Sequence, residues 1–509
     1  MQHIIIIGGG LGGLFTGALL TKEGYRVTVL EKNATIGGGL RTFRRGGMTF
    51  ETGMHMLGGL RQGGSVHKIC HYLGITDQLQ LRDVDHDCMD SITYQSDGMT
   101  YRIPEGREAF TEYFVKLFPH EAQAICDYVE SLYRIADEVD FFYLRSESRD
   151  LLSHSDQFFW SASQLIDYYI KDSRLRDILA YMNPMYGGVA DHTPAYIHAL
   201  INVLYMSGPS RFIGGSQQLA SALAKVIADG GGQVLSGEQV TAVHVDKDRL
   251  CTSVTTAKGH EFCADYYISA IHPSRLVDMA DAAAFPKSCR MRVASIPNTY
   301  SAFTVYIKFH QDTFPYINHT CYFQDDYGYV WKHSEYDAND EAWPHGFMYM
   351  TCADEPCQQY ASKMIVNCLM PFSAVRQWEN TTVGHRGSDY EQWKQQLVER
   401  VFWRLEQLHP GIRQCVDEFW SSSPLTIRDF FGQPEGALYG VRKDCQNIML
   451  SQLSIWTKVK NLLLTGQNIN LHGICGVPLT AVNTVEALVG QNKLIEKINN
   501  LYNKTYGKD

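Results

Sequence analysis

The sequence predicts an α/β protein in which a parallel nucleotide-binding sheet, assembled from separate stretches of the chain, carries an inserted α+β domain. Three observations predict this fold. A buried strand, a glycine-rich turn and a helix begin the chain, a strand–loop–helix unit lies near its end, and alternating strand patterns occupy the second half. With 509 residues the chain is long enough for two or three domains.

Composition excludes several classes of protein. Apolar residues make up 45% and charged residues 20%, which is typical of globular proteins and not of disordered or collagen-like chains. A net charge of −10 without a basic run argues against a nucleic-acid partner. We find no apolar run long enough to span a bilayer, no signal-peptide pattern and no CxxC pair among the 13 cysteines. These features predict reduced thiols and a cytoplasmic location.

The first strand and turn carry a dinucleotide fingerprint. Residues 4–7 are four isoleucines, and Gly8, Gly10 and Gly13 then match G-x-G-x-x-G before a helical pattern. The first glycine permits the tight turn, the second lets the backbone approach a pyrophosphate, and the third lets helix and strand pack closely. A second strand ends at Glu31, where an acidic side chain accepts hydrogen bonds from a ribose. The segment therefore predicts a dinucleotide site.

Two further features favour FAD over NAD. A second glycine segment, residues 37–39, is followed by Arg41, which could contact a phosphate. Near the C-terminus a strand ends at Gly466, and after the loop 467–478 a helical pattern starts at Leu479 and would place another helix N-terminus beside the cofactor. The chain shows one such fingerprint, so the flavin must exchange electrons with a transient partner: the substrate, a quinone, oxygen, a reduced nicotinamide or a separate reductase.

Four segments together resemble the phytoene desaturase family of FAD-dependent oxidoreductases, and within it the branch that holds retinol saturase and carotenoid isomerase. They are residues 8–31, 37–42, 47–55 and 465–478. The third segment, residues 47–55, resembles the motif G-x-x-F-(D/E)-T-G-x-H of that branch. The second departs from the family's usual Gly-Gly-Arg or Gly-Gly-Lys, because its cation follows only at Arg41. The resemblance implies a discontinuous Rossmann-type FAD-binding domain like that of glutathione reductase and the amine oxidases.

The resemblance also implies a cofactor site that holds FAD without a covalent bond. The residues that it places at the cofactor are Gly8, Gly10, Gly13, Glu31, Lys32, Gly38, Gly39, Leu40 and Arg41 around the nucleotide half, Val240 beside the adenine, and His55, Gly466, Gln467, Val477 and Pro478 near the isoalloxazine.

The remaining chain is divided accordingly. We assign residues 1–72, 208–285 and 456–509 to the FAD-binding domain, and residues 73–207 and 286–455 to the substrate domain.

Within the substrate domain, strand patterns at 302–309, 346–350 and 364–369 predict an antiparallel sheet that floors the substrate cavity. A helical segment at 389–408 carries mixed charge and is interpreted as a solvated surface helix. The stretch 128–212 is rich in aromatic residues. Core packing explains any single one of these aromatic residues. Taken together, they favour an apolar tunnel or a face that touches a membrane.

By resemblance, the chain is an FAD-dependent oxidoreductase that acts on CH–CH groups of an apolar polyene or isoprenoid lipid, by saturation, desaturation or isomerisation. Candidates for proton transfer beside the flavin are His55, His472 and Tyr439, although each could simply hydrogen-bond the backbone or the cofactor. His67 and His71 have helical spacing but no evident third ligand, so no metal is expected.

Two alternatives remain open at this point. A flavin amine oxidase shares the fold and would enclose an amine in a compact aromatic cage. A prenyl-lipid escort protein shares the fold without binding flavin, and the intact glycine set with Glu31 speaks against that loss. Because the expected substrates partition into bilayers, peripheral contact with the inner face of a membrane is a further expectation.

Overall fold

The structure is a computed structural model that describes residues 1–146 and 153–507. In chain order its strands are β1 (His3–Ile7), β2 (Arg26–Glu31), β3 (Thr42–Arg45), β4 (Met48–Glu51), β5 (Leu81–Asp83), β6 (Asp90–Tyr94), β7 (Thr100–Ile103), β8 (Ser210–Phe212), β9 (Gln233–Ser236), β10 (Val240–Val245), β11 (Cys251–Thr256), β12 (Glu261–Phe262), β13 (Tyr266–Ser269), β14 (Ser301–Phe309), β15 (Thr320–Gln324), β16 (Gly346–Thr351), β17 (Lys363–Met370), β18 (Val416–Ser422) and β19 (Leu462–Leu464). Its α-helices are α1 (Leu11–Lys22), α2 (Ser65–Leu73), α3 (Arg107–Leu117), α4 (Ala122–Asp137), α5 (Asp156–Phe159), α6 (Ala162–Tyr169), α7 (Ser173–Leu179), α8 (Ala195–Met206), α9 (Gln217–Asp229), α10 (Pro273–Met279), α11 (Lys287–Ser295), α12 (Ser388–Leu408), α13 (Ile412–Cys415), α14 (Pro424–Phe431), α15 (Ile448–Ser451), α16 (Gly473–Val489) and α17 (Lys493–Tyr506).

The nucleotide-binding sheet is parallel, with the strand order β19–β13–β1–β2–β9. Its centre, β1, is covered on both faces. Ile4 and Ile6 pack with α1, α9 and α16, whereas Ile5 and Ile7 pack against β10 and β11 on the opposite face. This double burial explains the unbroken run of isoleucines, because neither face of a covered parallel strand meets water.

The carboxyl ends of these strands meet at one edge of the sheet. The turn at Gly8 follows β1, Glu31 ends β2, and Gly466 follows β19. The N-termini of α1 and α16 lie beside this edge as well, because each helix follows its strand through a short connection. A ligand placed outside this edge therefore faces two helix N-termini at once.

A second sheet has seven strands in the order β18–β14–β17–β16–β15–β6–β7. Its pairs are antiparallel except for β15 with β6, which run parallel. The strands predicted at 302–309, 346–350 and 364–369 are confirmed as β14, β16 and β17. The assignment of whole segments to two domains stays a prediction.

Helix α12 corresponds to the helix predicted at 389–408. It buries Leu397, Val401 and Leu405 against one face of the seven-stranded sheet. These residues recur at intervals of four, so one stripe of the helix is apolar while its charges lie on the other side. The helix predicted at 389–408 is therefore confirmed as a surface helix, with one side solvated and the other covering the sheet.

Within the described residues, no single helix is both long and apolar enough to cross a membrane. The pair α16 and α17 meets the length and composition requirement only together, and it is bent by 119°.

Candidate functional site

The first two elements of the site are the turn after β1 and the N-terminus of α1. Gly8 has a φ of +104°, which a side chain would disfavour. A Cβ on Gly13 would lie 1.9 Å from the carbonyl oxygen of Gly8, so only glycine permits this contact between helix and strand. The Leu14 N–H bonds the Gly10 carbonyl at 3.0 Å, so the N–H groups just before it, at the start of α1, have no acceptor within the helix.

Glu31 lies at the end of β2 and is buried. Its Oε2 accepts from the Gly9 N–H at 2.9 Å, and its Oε1 accepts from the Asn33 N–H at 2.8 Å. The Glu238 N–H donates to the Glu31 carbonyl at 2.8 Å, which brings the start of β10, and with it Val240, close to this acid. The structure thus places the residues expected at the ribose and the adenine in one neighbourhood.

The second glycine segment lies directly against the first. A Cβ on Gly38 would come within 3.0 Å of the Gly10 Cα, and the Gly37 N–H donates to the Gly9 carbonyl at 2.8 Å. A Cβ on Gly39 would meet no atom within 4 Å, so an open space adjoins this backbone. Leu40 is buried, and its carbonyl accepts from the Ser216 hydroxyl at 3.0 Å.

Arg41 and Lys32 are held by the C-terminal end of α14. The Arg41 Nη2 donates to the Phe430 carbonyl at 2.9 Å and its Nε to the Gly38 carbonyl at 3.0 Å. The Lys32 Nζ donates to the Asp429 carbonyl at 3.0 Å. Cations at a helix C-terminus are favourable, because the last carbonyls carry partial negative charge. Phosphate contact by either side chain stays a prediction.

The C-terminal unit closes the site. A Cβ on Gly12 would lie 2.8 Å from the Gly466 Cα and 3.5 Å from a Val477 methyl, so the start of α1 touches this segment. The helix begins at Gly473, earlier than predicted, and therefore contains Val477 and Pro478. Pro478 is the sixth residue of this helix, where its missing N–H removes one backbone hydrogen bond without ending the helix. Gln467 lies directly after Gly466 and is half-buried.

These residues fit a dinucleotide. The unpartnered N–H groups at the α1 N-terminus suit a pyrophosphate, the space beside Gly39 is open, and Glu31 offers a buried acceptor. The residues that would hold FAD are the three fingerprint glycines, Glu31, the Gly38–Gly39 backbone and the Gly466 turn.

His55 follows β4, and its ring is engaged by a hydrogen bond to Glu51. Its Nδ1 lies 2.9 Å from Glu51 Oε1, which also accepts from the Ser216 N–H at 2.9 Å. Although burial alone would raise the pKa of Glu51, the His55 ring and the Ser216 groups lower it. The observed geometry fixes the 51–55 segment against α9, and a catalytic role for His55 stays a prediction.

The structure brings His472 and Tyr439 together, although their catalytic roles stay predictions. Their ring centroids are 4.9 Å apart. The Tyr439 hydroxyl donates to the Pro184 carbonyl at 2.8 Å, whereas the buried Nε2 of His472 has no hydrogen-bond partner among the described residues. Burial, together with the nearby Lys443, lowers the pKa of His472 to about 3, so the ring is neutral at physiological pH.

Lys443 is a residue that sequence analysis did not find. It is buried, and its Nζ donates to the carbonyls of Ser451 and Ile469, each at 3.0 Å. Burial lowers its pKa to about 7. No carboxylate lies within ion-pair distance of it in the part of the chain that the structure describes.

A small cavity of about 50 Å³ leads to His472, and we call it the passage. Its walls come from α8, from Met56 and Gly58, and from residues 471–476, and they are mainly apolar. Besides His472, two side chains in the wall carry a titratable proton, Tyr205 and Cys475. Burial raises the pKa of Cys475 to about 12 and that of Tyr205 well above its usual value, so both stay protonated. Neither was predicted, because nothing in the local sequence marks them.

Comparisons with known proteins agree with this geometry. The family model of flavin-containing amine oxidoreductases matches residues 11–313, which is more than half of the chain. The chain is 25% identical to human all-trans-retinol 13,14-reductase, covering 96% of this chain and 86% of that protein. It is 24% identical to a 4,4'-diapolycopene oxygenase of Methylomonas, covering 95% and 96%. An oxidoreductase structure from Methanosarcina mazei superimposes with a TM-score of 0.65 at 16% identity, covering 95% of this chain and all of that one.

The predicted fold class is confirmed by these comparisons, and so is the resemblance to the phytoene desaturase and retinol saturase group. The chain therefore belongs to the flavin-containing amine oxidoreductase family, and it is an FAD-dependent oxidoreductase.

Proposed function

We propose that this protein saturates a carbon–carbon double bond of a retinoid-like polyene. The observation that carries the proposal is the passage, a mainly apolar cavity that lies between α8 and the N-terminus of α16. A conjugated hydrocarbon needs apolar walls and few polar contacts. Two relatives are named for reactions on retinol and on diapolycopene, which supports a polyene as substrate.

The titratable groups of the passage favour saturation over desaturation. Adding hydrogen across a double bond requires a hydride and a proton, whereas desaturation requires a group that accepts a proton. Tyr205 and Cys475 keep their protons at neutral pH, and His472 is a weak base because its pKa is about 3. The wall of the passage therefore offers proton donors and lacks a strong base.

Bound FAD supplies the hydride chemistry. The chain positions the substrate and excludes water through the apolar side chains of α8. Tyr205 is the proton donor in this proposal, because its hydroxyl is held at the wall by a 3.1 Å hydrogen bond to the Met56 carbonyl. A phenol that stays protonated can deliver its proton to the second carbon of the double bond, which takes up the electron pair when the first carbon receives the hydride. The His472 ring packs beside Tyr439 at the wall of the passage, and its Nε2 has no hydrogen-bond partner among the described residues.

The experiment uses the purified flavoprotein, reduced under anaerobic conditions and mixed with all-trans-retinol. Reoxidation of the flavin with formation of a dihydro product supports saturation. If only a quinone or oxygen reoxidises the flavin, the protein is a desaturase or an oxidase. Peroxide formation with amines would instead establish an amine oxidase, and a protein that takes up no FAD would be an escort protein.

The expected membrane contact has a candidate surface. Met291, Met449 and Trp456 are 62%, 66% and 52% exposed, and Arg292 joins α11 to α15 by donating to the Met449 carbonyl at 2.7 Å. Gln452 contacts Tyr196 of α8, so this exposed apolar surface adjoins the helix that lines the passage. We propose that it rests on the cytoplasmic face of a bilayer, from which a polyene enters.

Vesicle sedimentation tests the surface. A Met449→Asp and Trp456→Ser double variant should lose binding to vesicles of mixed neutral and anionic phospholipid. Trp403→Ser is the control, because Trp403 on α12 is exposed to the same degree, 53%, but lies on the helix that covers the other sheet. Equal binding of all three proteins would remove this surface from the proposal.

A saturase also needs an electron source, and a reduced nicotinamide or a reductase fills that role in our proposal.

A further inference from the structure

A cavity of about 310 Å³ lies in the corner between α16 and α17, where the chain bends by 119°, and we call it the corner cavity. Asn483, Glu486 and Ala487 of α16 form one of its sides, because residues three and four apart share a helix face. Its other walls come from the start of α17 and from the segments around Phe141 and Trp456. The corner cavity is separate from the passage and has no role in the proposed reaction.

Glu486 brings a carboxylate into the corner cavity without a counter-ion. Only 9% of its surface is exposed, and its Oε1 accepts from the Ile495 N–H at 3.0 Å. In the part of the chain that the structure describes, no Lys, Arg or His nitrogen lies within ion-pair distance of it. Its Oε2 accepts no hydrogen bond from the described residues and stays accessible from the cavity. Burying a carboxylate without a cation is costly, so Glu486 calls for a positively charged ligand.

The other charged side chain of the wall does not satisfy Glu486. Arg145 lines the same cavity, but its Nη2 donates to Asp137 Oδ1 at 2.6 Å and its guanidinium lies over the Tyr143 ring. This ion pair is exposed, since 41% of the Arg145 side chain and 54% of the Asp137 side chain meet solvent. Exposed pairs contribute little stability, so Arg145 can also contact an anionic group. The wall thus presents a buried carboxylate and a more exposed guanidinium.

The polar lining favours a primary ammonium as the cation. Asn483, Gln491 and Asn492 line the corner cavity together with Glu486, and each amide carries an oxygen that accepts hydrogen bonds. A primary ammonium has three N–H donors, which one carboxylate oxygen and two amide oxygens can satisfy. A quaternary ammonium has no N–H group and would leave these oxygens unsatisfied, so it fits this lining less well.

The corner cavity adjoins the surface that we propose to rest on a bilayer. Trp456 belongs to that surface and also lines the cavity, and its segment is fixed because the Leu464 N–H donates to the Ile455 carbonyl at 2.8 Å. Tryptophan side chains favour the headgroup region of a membrane. Phe141 lines the corner cavity and Phe142 lines the passage, so the two cavities share this segment as a wall.

We propose that the corner cavity binds the headgroup of an ethanolamine phospholipid. The ammonium donates to Glu486 Oε2 and to the neighbouring amide oxygens, and the phosphate, two carbons away, contacts Arg145. The inference rests on the proposed membrane contact and names the lipid that this contact recognises. A lipid held here keeps the passage next to the bilayer from which a polyene enters.

Sedimentation of the holoprotein with two sets of vesicles tests the proposal. Both sets contain phosphatidylglycerol, mixed in one with phosphatidylethanolamine and in the other with phosphatidylcholine, so their net charge is the same. We expect the wild type to bind the ethanolamine vesicles about 10-fold more tightly, as expected for charge-assisted hydrogen bonds that the choline headgroup cannot make. Glu486→Gln keeps an oxygen for the Ile495 N–H but loses the charge, and it should bind both sets equally.

Glu496→Gln is the matched control. Glu496 lies in the first turn of α17, is exposed and is not part of the cavity wall, so its loss removes the same charge nearby and should leave the preference intact. Asn483→Leu removes one amide oxygen and should reduce the preference. Calorimetric titration with soluble phosphoethanolamine tests the site apart from a bilayer, and it should show binding to the wild type but not to Glu486→Gln. Flavin content and melting temperature verify the fold of each variant.

Three results would overturn the inference: equal binding of the wild type to both vesicle sets or a preference for choline, an unchanged preference in Glu486→Gln, or the same loss in Glu496→Gln. The first needs no variant, so it applies even if Glu486→Gln does not fold. Binding of soluble phosphoethanolamine without a preference for ethanolamine vesicles would overturn the lipid as its source. Vesicle binding without a headgroup preference would refute the inference and leave the proposed membrane surface standing. A headgroup preference without reduction of any polyene would refute the proposed reaction alone.

Discussion

The contact between Gly13 and Gly8 gives a quantitative test of the cofactor site. A Cβ at residue 13 would lie 1.9 Å from the Gly8 carbonyl oxygen, whereas real Cβ contacts essentially never fall below 3.0 Å. In Gly13→Ala the start of α1 must therefore move away from β1 by at least about 1.1 Å, the difference between these distances. Such overpacking costs about 1–3 kcal/mol of stability.

The same displacement moves the donors that face the pyrophosphate. Hydrogen bonds from N–H groups hold at about 2.7–3.2 Å, so a shift of about 1 Å breaks them. Losing one or two charge-assisted bonds costs about 3 kcal/mol of binding, which raises the Kd for FAD about 100-fold. The assay is calorimetric titration of the apoprotein with FAD, together with the flavin content of the purified protein.

Gly17→Ala is the matched control within the same helix. Its Cβ would meet only the ends of side chains, namely the Ile227, Ile6 and Val27 methyl groups at 2.9, 3.3 and 3.3 Å. Alanine also favours a helix over glycine by about 1 kcal/mol, which offsets part of that crowding. If Gly13→Ala binds FAD as tightly as the wild type and Gly17→Ala, the assignment of this turn to the pyrophosphate is wrong.

Three further predictions follow from the described contacts. Gly39→Ala should fold with an unchanged melting temperature, because its Cβ meets no protein atom within 4 Å, yet it should lose FAD affinity if the cofactor fills that space; unchanged affinity would place the cofactor elsewhere. Tyr205→Phe should retain FAD and slow single-turnover reduction of the polyene by about 100-fold, as expected for a lost proton donor, and an unchanged rate would exclude Tyr205. The folded-state pKa of Lys443 is about 7, below its unfolded value of 10.5. Burying the charged amine therefore lowers the free energy of unfolding most at low pH, and the wild type gains stability as pH rises from about 7 towards 10. Calorimetry of Lys443→Met should show less of that gain, and parallel pH profiles of the two proteins would contradict it.

The nucleotide-binding edge could be predicted from sequence because its signals are local. The isoleucine run, the three glycines and Glu31 lie within the first 31 residues, and each has a direct geometric reason to occur there. The strands β14, β16 and β17 could also be predicted, from their alternating strand patterns. Helix α16 was predicted to start too late, because Pro478 was taken as its boundary although the helix begins at Gly473.

The substrate side was not predictable in this way. Tyr205 lies in a helix that is buried almost throughout, so its hydroxyl looks like any core tyrosine. Lys443 is a basic residue in a short segment, where a solvated side chain is the usual outcome. Its burial depends on Ser451 and Ile469, whose positions are set by the tertiary fold. Local sequence patterns do not indicate such tertiary contacts.

The order β19–β13–β1 has a consequence for biosynthesis. Strand β1 pairs with β13, and β13 acquires its other neighbour only when residues 462–464 have been made. Until then β13 has an unpaired edge, and α16 is missing from the cofactor site. A chain that is still on the ribosome, or one truncated before β19, therefore exposes a strand edge open to aggregation and cannot hold flavin. Cofactor uptake must therefore follow synthesis of nearly the whole polypeptide.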